Sequence, residues 1–294
     1  MTIDQLIHVV VTVLLIEMMA SIGLGVTIAD LLAACRNWRF VLQAGLANYV
    51  CVPAATVGLL VLFHPADPMV PAGFLILAVC PGAPFGPPCT RLAKGNVAAA
   101  VGLMVLLAGS SAIVAPFLLY LLLPLMSGDS ALDVDEVKIV VTLLVTQLLP
   151  LCAGLCLRHW RPGLAERLQR PAKLIGRALG LFTIGLILVC QYPLLTKIAL
   201  RGWVGMSALL IVSLASGWLL GWPGSDNRRA MALTTALRNV GVGLVIAAGS
   251  FPGTAAVSAA LAYGIFEILG SLVVALAWSR LGAAGSHKQL QTTS

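Results

Sequence analysis

The segment Cys80–Asn96, CPGAPFGPPCTRLAKGN, decides how this chain folds. It places four prolines and three glycines among seventeen residues, directly after a strongly apolar run. Proline removes a backbone donor and glycine permits unusual dihedral angles, so a regular helix cannot continue through the segment. Non-helical backbone at membrane depth is tolerated only where it is buried in protein or lines an aqueous cavity. The segment therefore predicts a broken helix, provided that its surroundings are built for lipid.

The composition of the chain is that of an integral membrane protein. Of its 294 residues, 60% are hydrophobic and only 10% are charged, and the mean hydropathy is +1.00. A soluble domain of this size could not cover its core with so few charges. Apolar stretches of about twenty residues recur, which is the length that a helix needs to cross the hydrocarbon layer. The alternating short segments of a β-barrel are absent from the sequence. We therefore expect an all-α polytopic membrane protein.

Hydropathy and helix-breaking residues predict about nine transmembrane helices. They lie near residues 5–28, 38–63, 71–91, 97–125, 136–157, 172–195, 203–222, 228–249 and 254–279. The first apolar run is long and lacks a basic leading region, so we interpret it as a membrane helix rather than a cleaved signal peptide. Residues 1–280 are expected to form one transmembrane unit, and the polar residues 281–294 a disordered cytoplasmic tail.

The charges of the loops predict the orientation of the chain. With the N-terminus outside, fourteen of the eighteen lysines and arginines lie on the cytoplasmic side and three lie outside, while Arg238 falls within a span. Lysine and arginine accumulate in cytoplasmic loops. We therefore expect the N-terminus outside and the C-terminus in the cytoplasm, in a bacterial inner membrane. The net charge of +7 is thus a topology signal, so the lipid bilayer rather than nucleic acid is the expected partner.

A second break is predicted in Thr234–Val245, TTALRNVGVGLV. There Asn239, Gly241 and Gly243 interrupt an apolar helix, and Arg238 places a charge within it. The two breaks fall in the third and eighth segments, and the four-segment groups that contain them begin on opposite sides of the membrane. This is the spacing of an inverted repeat, in which paired broken helices mark the binding site of a transporter. The alternative is that both segments are simple Pro/Gly kinks in an ordinary helix bundle.

At these residues the sequence resembles the bile acid:sodium symporter family. The similar segments are Cys80–Met104, CPGAPFGPPCTRLAKGNVAAAVGLM; Gly23–Ala33, GLGVTIADLLA; and Ala262–Ala275, AYGIFEILGSLVVA. The most specific element is LAKGN, Leu92–Asn96, which follows the broken helix. Members of the family often have ten helices, and this chain lacks a counterpart of the first, which fits nine spans with the N-terminus outside.

The resemblance implies two groups of helices and a mode of action. A panel would comprise residues of about 5–28, 136–157 and 172–195. A core that holds the crossing broken helices would comprise about 38–125 and 203–279. Substrate would bind in the crevice between them and be exposed to each side in turn by rigid-body movement, as in other secondary transporters. The substrate implied is a small organic anion, and it need not be a bile acid.

The chain departs from the resemblance where the family binds sodium through oxygen ligands. Matched by position, those ligands fall on Gly86, Pro87, Ala100, Met104, Thr234 and Arg238. Side-chain oxygen is missing at nearly all of these positions, and a fixed cation stands where the family has an amide. We therefore hypothesise a sodium-independent carrier in which Arg238 replaces the sodium ions and favours an anionic substrate through charge-assisted hydrogen bonds.

A buried arginine needs a partner, and Glu267 in the last segment is the expected one. The pair has three interpretations: a purely structural ion pair, anion recognition by Arg238, or a protonatable Glu267 that couples transport to protons. The candidate coupling residues are Glu267 and Glu17, the latter a second acid within a span. The candidate substrate-binding residues are Arg238, Asn239, Glu267, Thr234, Pro84, Gly86 and Pro87.

Other functions remain as alternatives or are disfavoured. One alternative is a sodium-coupled bile acid or organic anion symporter with non-standard ion ligands. Another is a membrane sensor or partner protein that keeps the fold without transporting. No Walker motif and no convincing catalytic arrangement of Ser, Cys, His and Asp occurs in the sequence, so we expect neither an enzyme, nor a cofactor, nor a bound metal. The oligomeric state is left open.

Overall fold

The computed structural model describes residues 3–127, 141–195 and 198–291, and every regular element within these ranges is helical. Seven helical segments of this part of the chain are long and apolar enough to cross a membrane. They are Gln5–Gly25, Trp38–Phe63, Val97–Leu122, Val141–Trp160, Leu200–Leu220, Ser225–Ser250 and Ala255–Arg280. The expectation of an all-α polytopic membrane protein is confirmed.

The seven segments coincide with seven of the nine predicted spans. The third predicted span overlaps the shorter apolar helix Met69–Ala78, and the sixth lies within the helix Pro162–Leu195. The count of nine and the inverted repeat stay predictions. Residues 136–140, at the start of the fifth predicted span, lie outside the described ranges. The expected disordered tail is helical as far as Gln291.

The helices are numbered here in chain order. They are α1 (Ile3–Gly25), α2 (Ile28–Arg36), α3 (Trp38–Leu46), α4 (Val52–Phe63), α5 (Met69–Ala78), α6 (Gly86–Leu92), α7 (Val97–Leu122), α8 (Pro124–Ser127), α9 (Leu149–Trp160), α10 (Pro162–Leu195), α11 (Leu200–Leu220), α12 (Ser225–Ala236), α13 (Val240–Ser250) and α14 (Ala255–Gln291). Two π-helical turns, Ala47–Cys51 and Leu144–Leu148, precede α4 and α9. Turns of this kind are rare and often occur at functional positions.

The LAKGN motif forms the link between α6 and α7. Lys94 has a positive φ of 55°, which turns the chain after α6. The Asn96 side chain then caps α7 by accepting a 3.0 Å hydrogen bond from the N–H of Ala99, as an N-cap residue does. Its own N–H donates to the carbonyl of Asp226, 3.0 Å away at the start of α12. The motif therefore joins the two broken helices at one end.

Three helices pack closely against one another: α1, α9 and α10. Gly23 of α1 and Gly154 of α9 lie face to face, and a Cβ atom on either would overlap the main chain of the other helix. Small residues at a helix interface allow such close approach in membranes. Elsewhere α5 packs against α13 and α14, and α6 packs against α12. Each part of one broken helix thus contacts a part of the other.

Candidate transport site

The first break separates α5 from α6. Helix α5 ends at Ala78 and α6 begins at Gly86, so the break is shorter than CPGAPFGPP suggested. Pro87 and Pro88 lie in the first turn of α6, where a missing N–H donor costs nothing. Gly82 has a φ of 89°, and a Cβ atom there would lie 2.5–2.8 Å from atoms of Ala108 on α7. Gly82 therefore supplies both the conformation and the close approach.

The second break is also shorter than predicted. Helix α12 ends at Ala236 and α13 begins at Val240, which leaves Leu237–Asn239 as the interruption. The prediction that Gly241 and Gly243 interrupt the helix is wrong, because both lie in the regular part of α13. Arg238 stands at the middle of the break, and its main-chain groups are free to bond outside the helix.

The two breaks touch each other, and the place where they meet is called the crossing here. The N–H of Asn239 donates a 2.8 Å hydrogen bond to the carbonyl oxygen of Cys80. Asn239 also caps α13, because its Oδ1 accepts a 3.3 Å hydrogen bond from the N–H of Val242. Cys80 and Asn239 are both buried. The broken backbone is thus satisfied by protein rather than by lipid, as the hydrocarbon environment requires.

The Arg238 side chain is only 1% exposed and joins the two breaks. Its Nη1 donates a 3.2 Å hydrogen bond to the carbonyl of Ala78, and its Nη2 donates to the carbonyl of Thr235. These carbonyls lie in the last turns of α5 and α12. The C-terminus of a helix carries partial negative charge, so two helix ends converge on one guanidinium. The Nε atom has no hydrogen-bond partner within the described ranges.

Glu267 lies beside Arg238 but does not pair with its guanidinium. Its Oε1 accepts a 2.6 Å hydrogen bond from the main-chain N–H of Arg238. Its Oε2 has no partner in the part of the chain that the structure describes, and the side chain is 0% exposed. The one salt bridge among the described residues joins Arg158 and Glu166 instead. The contact predicted for Arg238 and Glu267 therefore exists through the backbone, because the guanidinium is engaged by carbonyls.

The remaining candidates divide into those near the crossing and one that is not. Thr234 is buried next to Gly86, and its hydroxyl donates to the carbonyl of Ala230 at 2.8 Å. Pro87 is buried as well, and Pro84 is half-buried within the first break. They belong to the two breaks or to the helix ends beside them. The hydrogen bonds found for the Thr234 hydroxyl stay within its own helix.

Glu17 faces a different direction. A Cβ atom on Gly176 of α10 would overlap the Glu17 carboxyl group, which therefore lies against α10. Leu15, two residues earlier, approaches Gly241 of α13. Residues two apart on a helix point in nearly opposite directions, so Glu17 points away from α13. The structure does not bring it to the crossing.

Two buried amides near the crossing were not assigned to a partner by the sequence. Asn48 donates through Nδ2 to the carbonyl of Ala44 at 2.9 Å and to the hydroxyl of Thr235 at 3.2 Å. It lies in the first π-helical turn, and Thr235 lies in α12. The sequence indicated only a polar residue at membrane depth. The structure shows that it ties α12 to the segment before α4.

Gln147 lies in the second π-helical turn. Its Nε2 donates to the carbonyl of Ala108 and, at 2.9 Å, to the hydroxyl of Ser111, both on α7. Ala108 is the residue against which Gly82 packs. Tyr49 contacts the same stretch of α7 through a 3.0 Å hydrogen bond to the carbonyl of Leu107. Tyr49 and Ser111 were missed, because tyrosine and serine in an apolar helix give no signal of their own.

The site as a whole carries one buried guanidinium and one buried carboxyl group. The positions expected from the resemblance to bear sodium ligands, Gly86, Pro87, Ala100 and Met104, are buried and offer no side-chain oxygen. Within the described ranges no group of three His, Cys, Asp or Glu side chains is placed to hold a metal ion. A cavity of about 500 Å³ lies between α4, α5, α11 and α14, lined mostly by apolar residues, and it does not include Arg238 or Glu267.

Comparison with known proteins agrees with this architecture. The model of the sodium bile acid symporter family matches residues 12–198, which include the first break. The chain is also 24% identical over 284 residues to a protein of Bacillus subtilis (strain 168) named "Uncharacterized sodium-dependent transporter YocS". That alignment covers 92% of this chain and 83% of the relative. The family match spans more than half of the sequence, and the apolar helices make the protein an integral, multi-pass membrane protein. The chain belongs to the sodium bile acid symporter family.

Proposed function

We propose that this protein is a secondary transporter of a small organic anion, that it works by alternating access, and that it needs no sodium. Arg238 takes the electrostatic place of the sodium ions. The observation that carries the proposal is the pair of hydrogen bonds from the guanidinium to the carbonyls of Ala78 and Thr235, one from each broken helix. A cation is thus already bound where the two helix ends converge.

The argument against sodium is electrostatic. A sodium ion at the crossing would need oxygen ligands, and the carbonyls of Ala78 and Thr235 at the two helix ends already accept hydrogen bonds from Arg238. It would also approach a fixed positive charge. Two unit charges at about 4 Å repel by about 4 kcal/mol at an effective dielectric constant of 20. Among the described residues Glu267 is the one carboxyl group at the crossing, and it cannot neutralise two cations at once.

The argument for an anionic substrate comes from two hydrogen-bond donors that have no partner among the described residues. Arg238 Nε and Asn239 Nδ2 have no hydrogen-bond partner among the described residues, and they belong to consecutive residues at the crossing. A carboxylate that reached them would accept a charge-assisted hydrogen bond from the guanidinium, which is among the stronger kinds. Both donors are buried, so access requires movement. The group α1, α9 and α10 is the panel that would move against the remaining helices.

A sodium-coupled symporter is the second candidate. It is favoured by the name of the Bacillus relative, which describes that protein as sodium-dependent. Such a mechanism here would have to use main-chain carbonyls and the Thr234 hydroxyl, and it would have to displace the Arg238 side chain. The third candidate is a membrane sensor or partner protein that keeps the fold without transporting. The free donors at the crossing favour a ligand over that alternative. We also propose the bacterial inner membrane and an outer N-terminus, on the strength of the loop charges.

The test is a thermal-shift series on the detergent-purified protein, because a ligand that binds the folded state raises its apparent stability. Sodium and potassium would be compared at equal ionic strength, followed by a panel of small carboxylates. We expect no sodium-specific shift and a shift with at least one carboxylate. Arg238→Gln should lose the carboxylate shift, whereas Arg39→Gln, which removes an exposed arginine that stacks on Trp38, should keep it. A sodium-specific shift in the unmodified protein would contradict the proposal.

A further inference from the structure

One face of α14 carries three polar side chains inside the protein. Tyr263, Glu267 and Ser271 are spaced four residues apart, so they project from the same side of the helix. All three are buried. The eight residues from first to last correspond to about 12 Å along the helix axis. Buried polar groups in such a row cost free energy unless they are hydrogen-bonded. This row is called the polar file here.

Helix α11 adds a fourth polar group to this file. Ser213 is 0% exposed, and its hydroxyl lies beside that of Tyr263. The hydroxyl cluster is defined here as Ser213, Tyr263 and Ser271. None of its three oxygen atoms has a geometrically satisfactory hydrogen-bond partner in the described part of the chain. Glu267 Oε2 also lacks a hydrogen-bond partner there, and Glu267 is the middle residue of the polar file on α14.

The unpaired oxygen of Glu267 bears on the charge of its carboxyl group. The hydroxyl groups of the cluster can donate as well as accept, yet neither they nor any other donor among the described residues is placed to hydrogen-bond to Oε2. An ionised Glu267 would therefore keep a buried, unsatisfied anionic oxygen, which is costly. A proton on Oε2 removes that charge, while Oε1 keeps the hydrogen bond from the Arg238 N–H. The burial and the missing donor thus favour the neutral form.

A sodium ion fits the same oxygens less well. The charged and titratable groups that face Glu267 are the Arg238 guanidinium from the second break and the Tyr263 hydroxyl from its own helix, with the Cys80 thiol beyond Arg238. A metal cation would leave two positive charges beside one carboxylate in a site without solvent. A proton on Glu267 leaves only the charge of Arg238. This remaining charge is the one that an anionic substrate can neutralise.

We propose that Glu267 is the proton-binding residue of the transport cycle, on the buried polar face that it shares with Tyr263 and Ser271. Glu267 Oε2 takes a proton from water on the side where substrate binds. Its neutralisation leaves the charge of Arg238 unbalanced, and the substrate carboxylate then balances that charge. On the other side the substrate leaves, Glu267 returns the proton to water, and its carboxylate again balances Arg238. One anion and one proton cross together, so transport is electroneutral.

This inference rests on the proposed function, since it names the ion that is coupled to the anion. It also accounts for the placement of Glu267 on the main chain of Arg238. The hydrogen bond to that N–H holds the carboxyl group near the guanidinium without an ion pair that would have to break in each cycle. A change in the charge of Glu267 is then felt by Arg238 directly.

The first test is infrared difference spectroscopy of the full-length protein in proteoliposomes, titrated with acid in potassium buffer. We expect the carbonyl stretch of a protonated carboxylic acid in the unmodified protein and its loss in Glu267→Gln. The glutamine keeps the Oε1 acceptor for the Arg238 N–H, so the variant should fold. Tyr263→Phe and Ser271→Ala should keep the band, because the proton is held by the carboxyl group itself. Glu17→Gln is the control, and it should leave that band in place.

The outcomes separate this inference from the proposed function. A band that persists in Glu267→Gln, or one that disappears specifically when sodium replaces potassium, would overturn the proton site. The second measurement is the membrane-potential dependence of uptake of the carboxylate found by thermal shift. Uptake that is insensitive to potential but abolished in Glu267→Gln supports the inference. If the band behaves as expected while no carboxylate binds, the proton site stands and the anion-transport proposal fails.

Discussion

The main-chain N–H of Arg238 and the carboxyl group of Glu267 are joined by a 2.6 Å hydrogen bond, while the guanidinium of the same arginine donates to the carbonyls of Ala78 and Thr235. One residue therefore performs two tasks with separate atoms. Its backbone fixes the carboxyl group of α14, and its side chain fixes the ends of α5 and α12. A substitution at position 238 removes the second task and leaves the first.

Replacing Arg238 by glutamine should destabilise the protein by about 1–3 kcal/mol, because the buried carbonyls of Ala78 and Thr235 lose a charged donor. Lysine keeps the charge but not the planar fork that reaches two carbonyls at once. The stability of Arg238→Lys should therefore lie between that of the native protein and that of Arg238→Gln. Chemical unfolding in detergent measures both. Equal stability of all three proteins would contradict the role of the guanidinium as a link between the breaks.

Gly82→Ala should prevent the first break from forming as it does here. The residue has a φ of 89°, and the added methyl group would lie 2.5–2.8 Å from atoms of Ala108. Strain at positive φ and overpacking together should cost at least about 2 kcal/mol. Gly109→Ala is the matched control, because a Cβ there meets nothing within 4 Å. The midpoint of thermal unfolding should fall for position 82 and hold for position 109. A normal midpoint for Gly82→Ala would refute this account.

Gln147→Leu should weaken the attachment of the second π-helical turn to α7. The change removes the hydrogen bonds to the Ala108 carbonyl and the Ser111 hydroxyl, at a cost of about 1–2 kcal/mol. Thr146→Val serves as the control, because the Thr146 hydroxyl bonds only to the Thr142 carbonyl of its own helix among the described contacts. Unfolding in detergent compares the two variants. If valine at position 146 costs as much as leucine at 147, the bridge to α7 is not what matters.

The stability of the fold should depend on pH through Asp30, which lies outside the membrane spans. Hydrogen bonds from the hydroxyl and the N–H of Thr27 hold the pKa of Asp30 below its ordinary value of 3.8. A lowered pKa stabilises the fold above the unfolded value, and this contribution disappears as the pH falls through the folded value. The difference in unfolding midpoint between the native protein and Asp30→Asn should therefore be constant above about pH 5. It should shrink as the pH falls below about 3.8. A gap that persists at low pH would argue against the hydrogen bonds between Thr27 and Asp30 as its cause.

The orientation can be checked with single cysteines. Cys35 is exposed and follows the first span, so it should be cytoplasmic, and His64→Cys would place a thiol at the opposite end of the second span. A membrane-impermeant maleimide applied to right-side-out vesicles should label position 64 and spare position 35. Inside-out vesicles should give the reverse. The opposite pattern in both preparations would mean that the N-terminus is cytoplasmic.

Much of the helical layout could be predicted from the sequence, because hydropathy and Pro/Gly punctuation report directly on lipid exposure. The positions of the breaks were predicted less well. Gly241 and Gly243 were taken for helix breakers, yet Gly243 lies in α13, where a side chain would overlap Leu77. A glycine that permits close packing and a glycine that ends a helix look the same in a single sequence.

The contacts within the site depended on side-chain direction, which no spacing rule gives. Residues 238 and 267 were expected to meet, and they do, but through a main-chain donor. The π-helical turns that carry Asn48 and Gln147 have no distinct sequence signal, since each adds only one residue to an otherwise regular helix. Their hydrogen bonds across helices therefore became visible only in three dimensions.

The bond between the N–H of Asn239 and the carbonyl of Cys80 has an evolutionary consequence. It joins atoms that every non-proline residue possesses, so it is insensitive to almost any substitution at either position. A lineage can therefore exchange the side chains around the crossing, one ion-binding chemistry for another, without losing the crossing itself. Mutational robustness in the main chain leaves the chemistry of the site free to diverge.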